Sequence, residues 1–347
     1  MSEIDQDKLK ELVESIKSQF IEPYKDVQSL REIKSTTSFK DSDPLTEIQK
    51  LSQIIKAHST KIGIVCQPAK FFENYPVVFK ELQNFTNSLF YLLSILPLIH
   101  NDKSDTWTSY LAKKLDSLVL NLLNGVSSLC QDIERMIEEG KGDDNDRLIT
   151  IGSIWAACDS LDELAKKGNF QLLADSIRSS CDLVDDMVQD VDSWLEDPQF
   201  GDELLIDDDL SDEDDEEKED DDAQALKAME KFLIQWKTNL KMVKLLLSSF
   251  AKSLATNVYN SKSTKASMLD KLHTLQLLIV EQLDEFLSDV FMSDASFEPA
   301  DFKDNITALN DSLGQMVKII KNLNTSDPKK LKWITVWENK YFQDGNN

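Results

Sequence analysis

Residues 143–198 decide the fold of this chain; they read DDNDRLITIGSIWAACDSLDELAKKGNFQLLADSIRSSCDLVDDMVQDVDSWLEDP. Apolar side chains recur at intervals of three and four, the spacing that places them on one helical face. The first such face comprises Leu148, Ile151, Trp155, Cys158 and Leu161. The second comprises Leu173, Ile177, Cys181, Val184, Val188, Val191 and Leu195. Lys166-Lys167-Gly168 between them is typical of a helix end. The stretch predicts two helices that fold back as an antiparallel hairpin.

The rest of the chain continues this helical pattern. Glycine and proline are scarce, at 9 and 8 of 347 residues, and alternating Val, Ile and Thr runs typical of strands are missing. Segments with the helical period flank the central stretch on both sides: residues 7–21, 44–66, 77–96, 107–139, 226–254, 269–290 and 302–323. The sequence therefore predicts an all-α fold, in which long antiparallel helices form one or two packed bundles.

Residues 107–139 carry leucines at a spacing that coiled coils also use. Gly125 and Asp132 interrupt this seam. Bundle helices have the same period. An internal core helix is therefore favoured over an intermolecular coiled coil.

An acidic tract separates the two sets of helices. Asp202 to Asp222 contains 15 acidic residues and one lysine, so it carries −14 of the net charge of −25. Like charges without an apolar period cannot offset the entropy cost of ordering, so the tract is expected to be a disordered loop. The expected organisation is an amino-terminal helical bundle over residues 1–198, a disordered acidic linker over 199–223 and a carboxyl-terminal helical bundle over 224–347.

The charge and the apolar runs exclude several partner classes. Outside the tract the chain still carries −11. Nucleic-acid binding needs clustered Lys and Arg, so direct binding of nucleic acid is not expected. The longest apolar run, Leu89 to Ile99, is too short to cross a bilayer, so no membrane partner is expected.

Four widely spaced cysteines are typical of buried thiols in a reducing compartment, which favours a cytoplasmic and nuclear location: Cys66, Cys130, Cys158 and Cys181.

No motif points to catalysis, to a cofactor or to a metal. His58, His100 and His273 each lack a second histidine or cysteine at ligand spacing. The sequence has no glycine-rich phosphate loop, no nucleophile elbow and no calcium loop. Paired carboxylates such as Asp185-Asp186 are typical of a solvated helix face. A protein without enzymatic activity and without cofactors is therefore expected.

Three features of the central stretch carry a family resemblance. They are Asn145-Asp146-Arg147-Leu148-Ile149, then Ser153-Ile154-Trp155-Ala156-Ala157-Cys158, and a long helix that closes on Asp197-Pro198 before an acidic tract. In these features the chain resembles the cyclin-D1-binding protein 1 family, also called GCIP, Maid or HHM.

The resemblance marks Trp155, Ala157 and Cys158 as a family core motif. These residues offer hydrophobic packing and no chemistry, so Trp155 is expected to be a core anchor with Cys158 one turn further on. The resemblance also implies a regulatory adaptor that binds D-type cyclins and helix-loop-helix transcription factors and restrains cell-cycle progression. We therefore expect cyclin-like or helix-loop-helix partners, bound through helical surfaces.

The acidic tract supports an alternative of a different class. A tract of this charge resembles nucleic acid electrostatically, so an acidic chaperone-like or scaffolding protein could hold basic clients through it. Ser211 begins Ser-Asp-Glu-Asp-Asp, the acidic context that casein-kinase-2-like enzymes favour. Phosphorylation there would add about −1.5 to −2 and strengthen the capture of a basic partner.

The carboxyl-terminal segment offers a second interaction site. Trp333, Trp337 and Tyr341 recur every four residues on one helical stripe, beside several lysines. Two interpretations remain open. The three aromatic residues either close the end of the carboxyl-terminal bundle, which is favoured, or form a partner patch for which the acidic tract competes as an internal decoy.

Overall fold

All regular elements of the described chain are helices, as predicted. The structure, a computed structural model, describes residues 6–140, 144–200, 216–256 and 264–344, and these contain no strand. The chain divides into two compact units, Met1–Asn169 and Phe170–Asn347. Ser211 and most of the acidic tract lie outside the described residues.

The described part of the first unit contains six α-helices and the first arm of a seventh, which is the longest described helix. These are α1 (Gln6–Ile16, continued by a π-helical turn over Lys17–Ile21), α2 (Val27–Arg31), α3 (Pro44–Val65), α4 (Pro68–Phe71), α5 (Tyr75–His100), α6 (Ser109–Glu139) and the first arm of α7 (Asp144–Glu196). The predicted start of α3 is confirmed, because the Asp43 carboxylate accepts hydrogen bonds from the backbone N–H groups of Leu45 and Thr46. Helix α3 packs along α5, and α1 packs against α5 and α6.

Helix α6 is a core helix of this unit. Its seam leucines are buried, in agreement with the internal interpretation: Leu111, Leu115, Leu118, Leu122 and Leu129. Gly125 interrupts the seam because the first arm of α7 approaches there; a Cβ atom would lie 2.9 Å from Cγ1 of Ile154.

Helix α5 is longer than the predicted residues 77–96, because Pro97 continues the helix to His100. By length and composition it is long enough and apolar enough to cross a membrane, unlike the other described helices. However, 61% of its most apolar window is buried inside the protein. Core helices of soluble proteins meet the same criterion, so this pattern is weak evidence for a membrane segment.

The second unit contains the second arm of α7, α8 (Glu216–Thr256), α9 (Ala266–Phe291), a 3₁₀ turn (Pro299–Phe302), α10 (Lys303–Leu323) and α11 (Pro328–Asp344). Helix α9 packs along α10, and α11 packs against α8 and α10. One aromatic cluster joins α8, α9 and the 3₁₀ turn, with the rings of Trp236 and Phe286 4.4 Å apart. Its other members are Phe232, Phe297 and Phe302.

Helix α7 contains a break at Gly168. Gly168 has φ 56° and ψ −168°, a backbone conformation that is essentially restricted to glycine. The next residue is held firmly: the side-chain oxygen of Asn169 accepts from the N–H and hydroxyl of Thr108, and its amide donates to the Thr106 carbonyl at 2.7 Å. The Tyr110 hydroxyl donates to the Asn169 carbonyl at 2.6 Å.

The boundary between the two units lies at this break and differs from the expected boundary. The sequence placed residues 1–198 in one bundle, whereas the first compact unit ends at Asn169. The second arm packs instead with the later helices, since buried Gln276 of α9 donates to Ser176 at 3.0 Å. Lys244 and Lys237 of α8 pair with Asp185 and Asp192 of the same arm.

The end of the predicted acidic linker is helical. Residues 216–222, expected in the disordered linker, are the first turns of α8. Acidic residues are favourable at a helix amino terminus, where the backbone dipole is positive, so helix formation there is consistent with their charge.

We expect Gly168→Ala to destabilise the protein by about 1–3 kcal/mol, because alanine is strained in this conformation. The free energy of unfolding, measured by chemical denaturation, tests this. Gly152→Ala is the matched control, since Gly152 lies within the same helix and a Cβ atom there would meet nothing within 4 Å. The control should be neutral or stabilise by about 1 kcal/mol. Equal effects of the two substitutions would contradict the strain argument.

Candidate interaction surfaces

The first arm of α7 is fixed between α3 and α6 by polar contacts on both sides. Toward α6, Thr150 donates to the Asp132 carboxylate at 2.7 Å and Arg135 pairs with Asp146 at 2.9 Å. Toward α3, Lys56 pairs with Asp159 at 2.6 Å. These contacts hold the family-like segment as a rigid surface of the first unit.

The buried face of this arm differs from the predicted one. Ala157 and Cys158 are buried as expected, together with Ile151, Ile154 and Leu161. Trp155 was predicted to be a core anchor, but it is 37% exposed, so this prediction was wrong. Arg147 occupies the inward position instead and donates a hydrogen bond to the Gly63 carbonyl of α3. Leu148, also predicted to face inward, is exposed.

Trp155 therefore belongs to an exposed apolar surface. Leu148 is 57% exposed and Ile149 is 71% exposed on the same arm. Leu148 and Trp155, seven residues apart, point in nearly the same direction, and Ile149 points about 100° to the side. We call these three residues the signature face, because they lie within the residues that carry the family resemblance. Exposed apolar side chains grouped on a rigid helix are typical of protein-binding surfaces.

The carboxyl-terminal aromatic residues separate into two roles. Trp337 and Tyr341 are buried and stack with their rings 5.0 Å apart. The Trp337 indole N–H donates to the Met242 carbonyl of α8 at 2.8 Å. These two residues close the end of the second unit, as the favoured interpretation expected. Trp333 is 38% exposed, so it alone of the three remains available as a partner contact.

Trp333 lines a pocket of about 300 Å³ between α8, α10 and α11, which we call the tail pocket. The side chains of Leu246, Phe250, Ile320 and Ile334 in its wall are buried. Lys252 and Lys330 also line it, with Ser249 and Thr256. The sequence predicted the aromatic stripe but not this pocket, because α8 and α10 contribute most of its wall from distant segments.

A second surface that the sequence did not indicate lies in the first unit. Phe90 and Tyr91 of α5 are exposed and line a groove of about 660 Å³ with Phe20, Tyr24 and residues 33–37. One sequence feature could have indicated this groove, since α5 is apolar on more than one face. Hydrophobicity alone favours burial of all these faces and does not distinguish a groove from the core.

A buried charged cluster was also missed. The Asp116 carboxylate of α6 accepts from Arg31 of α2 at 2.9 Å and is 2.7 Å from the His100 ring at the end of α5. Both carboxylate oxygens of Asp116 have partners, so the cluster links α2, α5 and α6. We therefore interpret it as a structural contact. Among the described residues, no group of three or more His, Cys, Asp or Glu is arranged to hold a metal ion.

The four cysteines are buried free thiols, as predicted. Burial raises the pKa of Cys66, Cys130 and Cys158 to about 12 and that of Cys181 to about 11. The thiolate is the reactive form of cysteine, so these side chains are poor nucleophiles in the folded protein.

Comparison with known proteins agrees with the resemblance in the central stretch. Residues 47–197 match the family model "Grap2 and cyclin-D-interacting, N-terminal", and residues 205–318 match "Grap2 and cyclin-D-interacting, C-terminal". The chain is also similar to the uncharacterized protein YLR287C of Saccharomyces cerevisiae, with 36% identity over 344 residues. That alignment covers 97% of this chain and 96% of the yeast protein.

We expect none of the four native thiols to react quickly with a disulfide reagent at about pH 8, near the usual thiol pKa of about 8.5. Absorbance of the released thiolate measures the reaction. The same protein in denaturant should release four equivalents at once, and an added surface thiol, Ser18→Cys, should react in the folded state. Fast reaction of a native cysteine in the folded protein would contradict its burial.

Proposed function

Because this chain belongs to the Grap2 and cyclin-D-interacting family, we propose that it is a non-enzymatic regulatory adaptor. In this proposal it binds a cyclin-like or helix-loop-helix regulator in the cytoplasm and nucleus and restrains cell-cycle progression by occupying the partner's surface. The family description, which names cyclin D as an interacting protein, supports the partner class.

The exposure of Trp155 supports the signature face as the contact surface. Large aromatic side chains supply much of the binding energy of protein interfaces when they become buried there. Leu148 and Ile149 extend the apolar area around it, and the contacts to α3 and α6 hold the arm in place before binding. A preorganised surface loses little conformational entropy on association.

The acidic tract supports a second candidate function. Its −14 charge over 21 residues would attract basic proteins, so the chain could act as a chaperone-like or scaffolding protein for basic clients. Phosphorylation of Ser211 would add to this attraction. The two functions use different forces, so salt distinguishes them.

We expect Trp155→Ala to weaken capture of a purified D-type cyclin at least tenfold, since truncation of an interface hot spot costs about 2 kcal/mol or more. The variant should lose less free energy of unfolding than the about 3–5 kcal/mol that truncation of a fully buried aromatic side chain costs. Isothermal titration and thermal unfolding measure the two effects.

Trp333→Ala is the matched control, since Trp333 is a tryptophan of nearly equal exposure in the other unit. It should bind the cyclin with wild-type affinity. Ile149→Ser, at a more exposed position, should weaken binding without measurable unfolding. Equal cyclin affinity of all three variants and the wild type would contradict the signature face, and no binding of a cyclin by the wild type would contradict the partner class.

Cyclin capture through the signature face should change little between about 0.1 and 0.5 M salt, because apolar contacts are not screened. Capture of a basic client such as a histone through the acidic tract should collapse over the same range. Pull-down of each ligand across the salt series measures this. A steep loss of cyclin binding would favour the acidic tract as the binding element.

A further inference from the structure

We propose that the tail pocket is a separate binding site for a short acidic peptide of a partner protein, in which apolar side chains are flanked by carboxylates. The pocket lies wholly within the second unit and uses none of the signature-face residues. The proposal is therefore independent of cyclin binding.

The size and wall of the pocket define the apolar part of the ligand. Phe250 and Leu246 of α8, Ile320 of α10 and Ile334 of α11 supply buried apolar wall. The pocket has a volume of about 300 Å³. One aromatic or two aliphatic side chains fill such a space. Trp333, exposed at its edge, can cover them.

The charges around the pocket define the polar part of the ligand. Lys252 and Lys330 line the pocket, from α8 and α11 respectively. The Asp327 carboxylate lies 3.5 Å from the Lys330 ammonium and caps the start of α11 by accepting from the backbone N–H groups of Lys329 and Lys330. Among the described residues that line the pocket, the charged ones, Lys252 and Lys330, are both cationic. The two lysines attract an acidic peptide at short range, on a chain whose net charge is −25.

Contacts between α8, α10 and α11 fix the shape of the pocket before a ligand binds. The Trp337 indole fixes α11 to the Met242 carbonyl of α8, and Lys321 of α10 pairs with Glu338 of α11. Buried Asn324 donates to the Ile320 carbonyl at 2.8 Å, which closes the end of α10. A wall fixed in this way can bind a flexible peptide with little rearrangement of its own.

The chain itself contains a segment of this chemistry, residues 202–208, which read DELLIDD. Ile206 precedes the start of α8 at Glu216 by ten residues, which span at most about 36 Å. The pocket centre, near residue 251 of α8, lies about 52 Å along the helix from Glu216 at 1.5 Å per residue. At full extension Ile206 therefore ends about 16 Å short of the pocket centre, which favours a ligand from another molecule. The internal-decoy hypothesis stays a prediction, which deletion of the segment tests.

A synthetic peptide with the sequence DELLIDD, blocked at both ends and labelled with a fluorophore, provides the probe. Titration of the full-length protein, followed by fluorescence anisotropy, should show saturable binding that weakens as salt rises. A neutral peptide, NQLLINN, and a peptide without apolar side chains, DESSSDD, should each bind at least tenfold more weakly. Equal binding of the neutral peptide would overturn the acidic specificity.

Two protein variants locate the site. Trp333→Ala and Lys252→Glu should each weaken the acidic peptide at least tenfold, and Lys252 is exposed, so its substitution should leave the fold intact. Trp155→Ala should bind the peptide with wild-type affinity, although it should lose the cyclin. Unchanged peptide affinity in both tail-pocket variants, or no binding by the wild type, would overturn the proposal without affecting the proposed adaptor function.

Deletion of residues 202–208 tests the source of the ligand. The deleted protein should bind the peptide with the same affinity as the full chain. A severalfold gain of affinity would show that the chain's own segment competes. Concentration-dependent dimers that disappear on deletion would identify a second copy as the occupant, and either result would overturn the assignment to a partner protein.

Discussion

The backbone conformation of Gly168 is the constraint on which the division of the chain depends. Leu161 and Ile177 are both buried, but they are 16 residues apart. At 3.6 residues per turn, an unbroken helix would direct them about 160° apart. The break at Gly168 changes the rotational phase, so each arm of α7 can bury its stripe in its own unit. The hydrogen bonds of Thr108 and Tyr110 to Asn169 then fix where the first arm ends.

Local signals in the sequence were sufficient for most of the helices, because caps and apolar seams act over a few residues. The choice of buried face was not local. Apolar residues of the first arm form overlapping stripes, and Arg147 and Thr150 decide between them through partners on α3 and α6. Hydrophobicity assigns both residues to the outside. The partner groups are 84 and 18 residues away in sequence, so the pattern within the arm could not reveal them.

The aromatic stripe of α11 shows the same limit in a simpler form. Residues four apart advance by about 40° beyond a full turn, so Trp333 and Tyr341 differ by about 80° in direction. The helix packs with Trp337 and Tyr341 inward, and Trp333 therefore lies at the edge of the buried surface. The spacing predicted one face with one role. Because residues four apart do not point in the same direction, the stripe instead contains two buried packing residues, Trp337 and Tyr341, and one exposed residue, Trp333, beside the tail pocket.

In the proposed adaptor, the charges around the two surfaces would favour different kinds of partner. Near the signature face, charged residues are paired within the unit, as in Lys56 with Asp159 and Arg135 with Asp146. Apolar contact therefore dominates there, and selectivity depends on shape. At the tail pocket, Lys252 and Lys330 supply positive charge on a strongly acidic chain, so selectivity depends on the sign of the ligand's charge. An adaptor with both proposed surfaces would select its two partners through different forces, one through apolar contact and the other through charge.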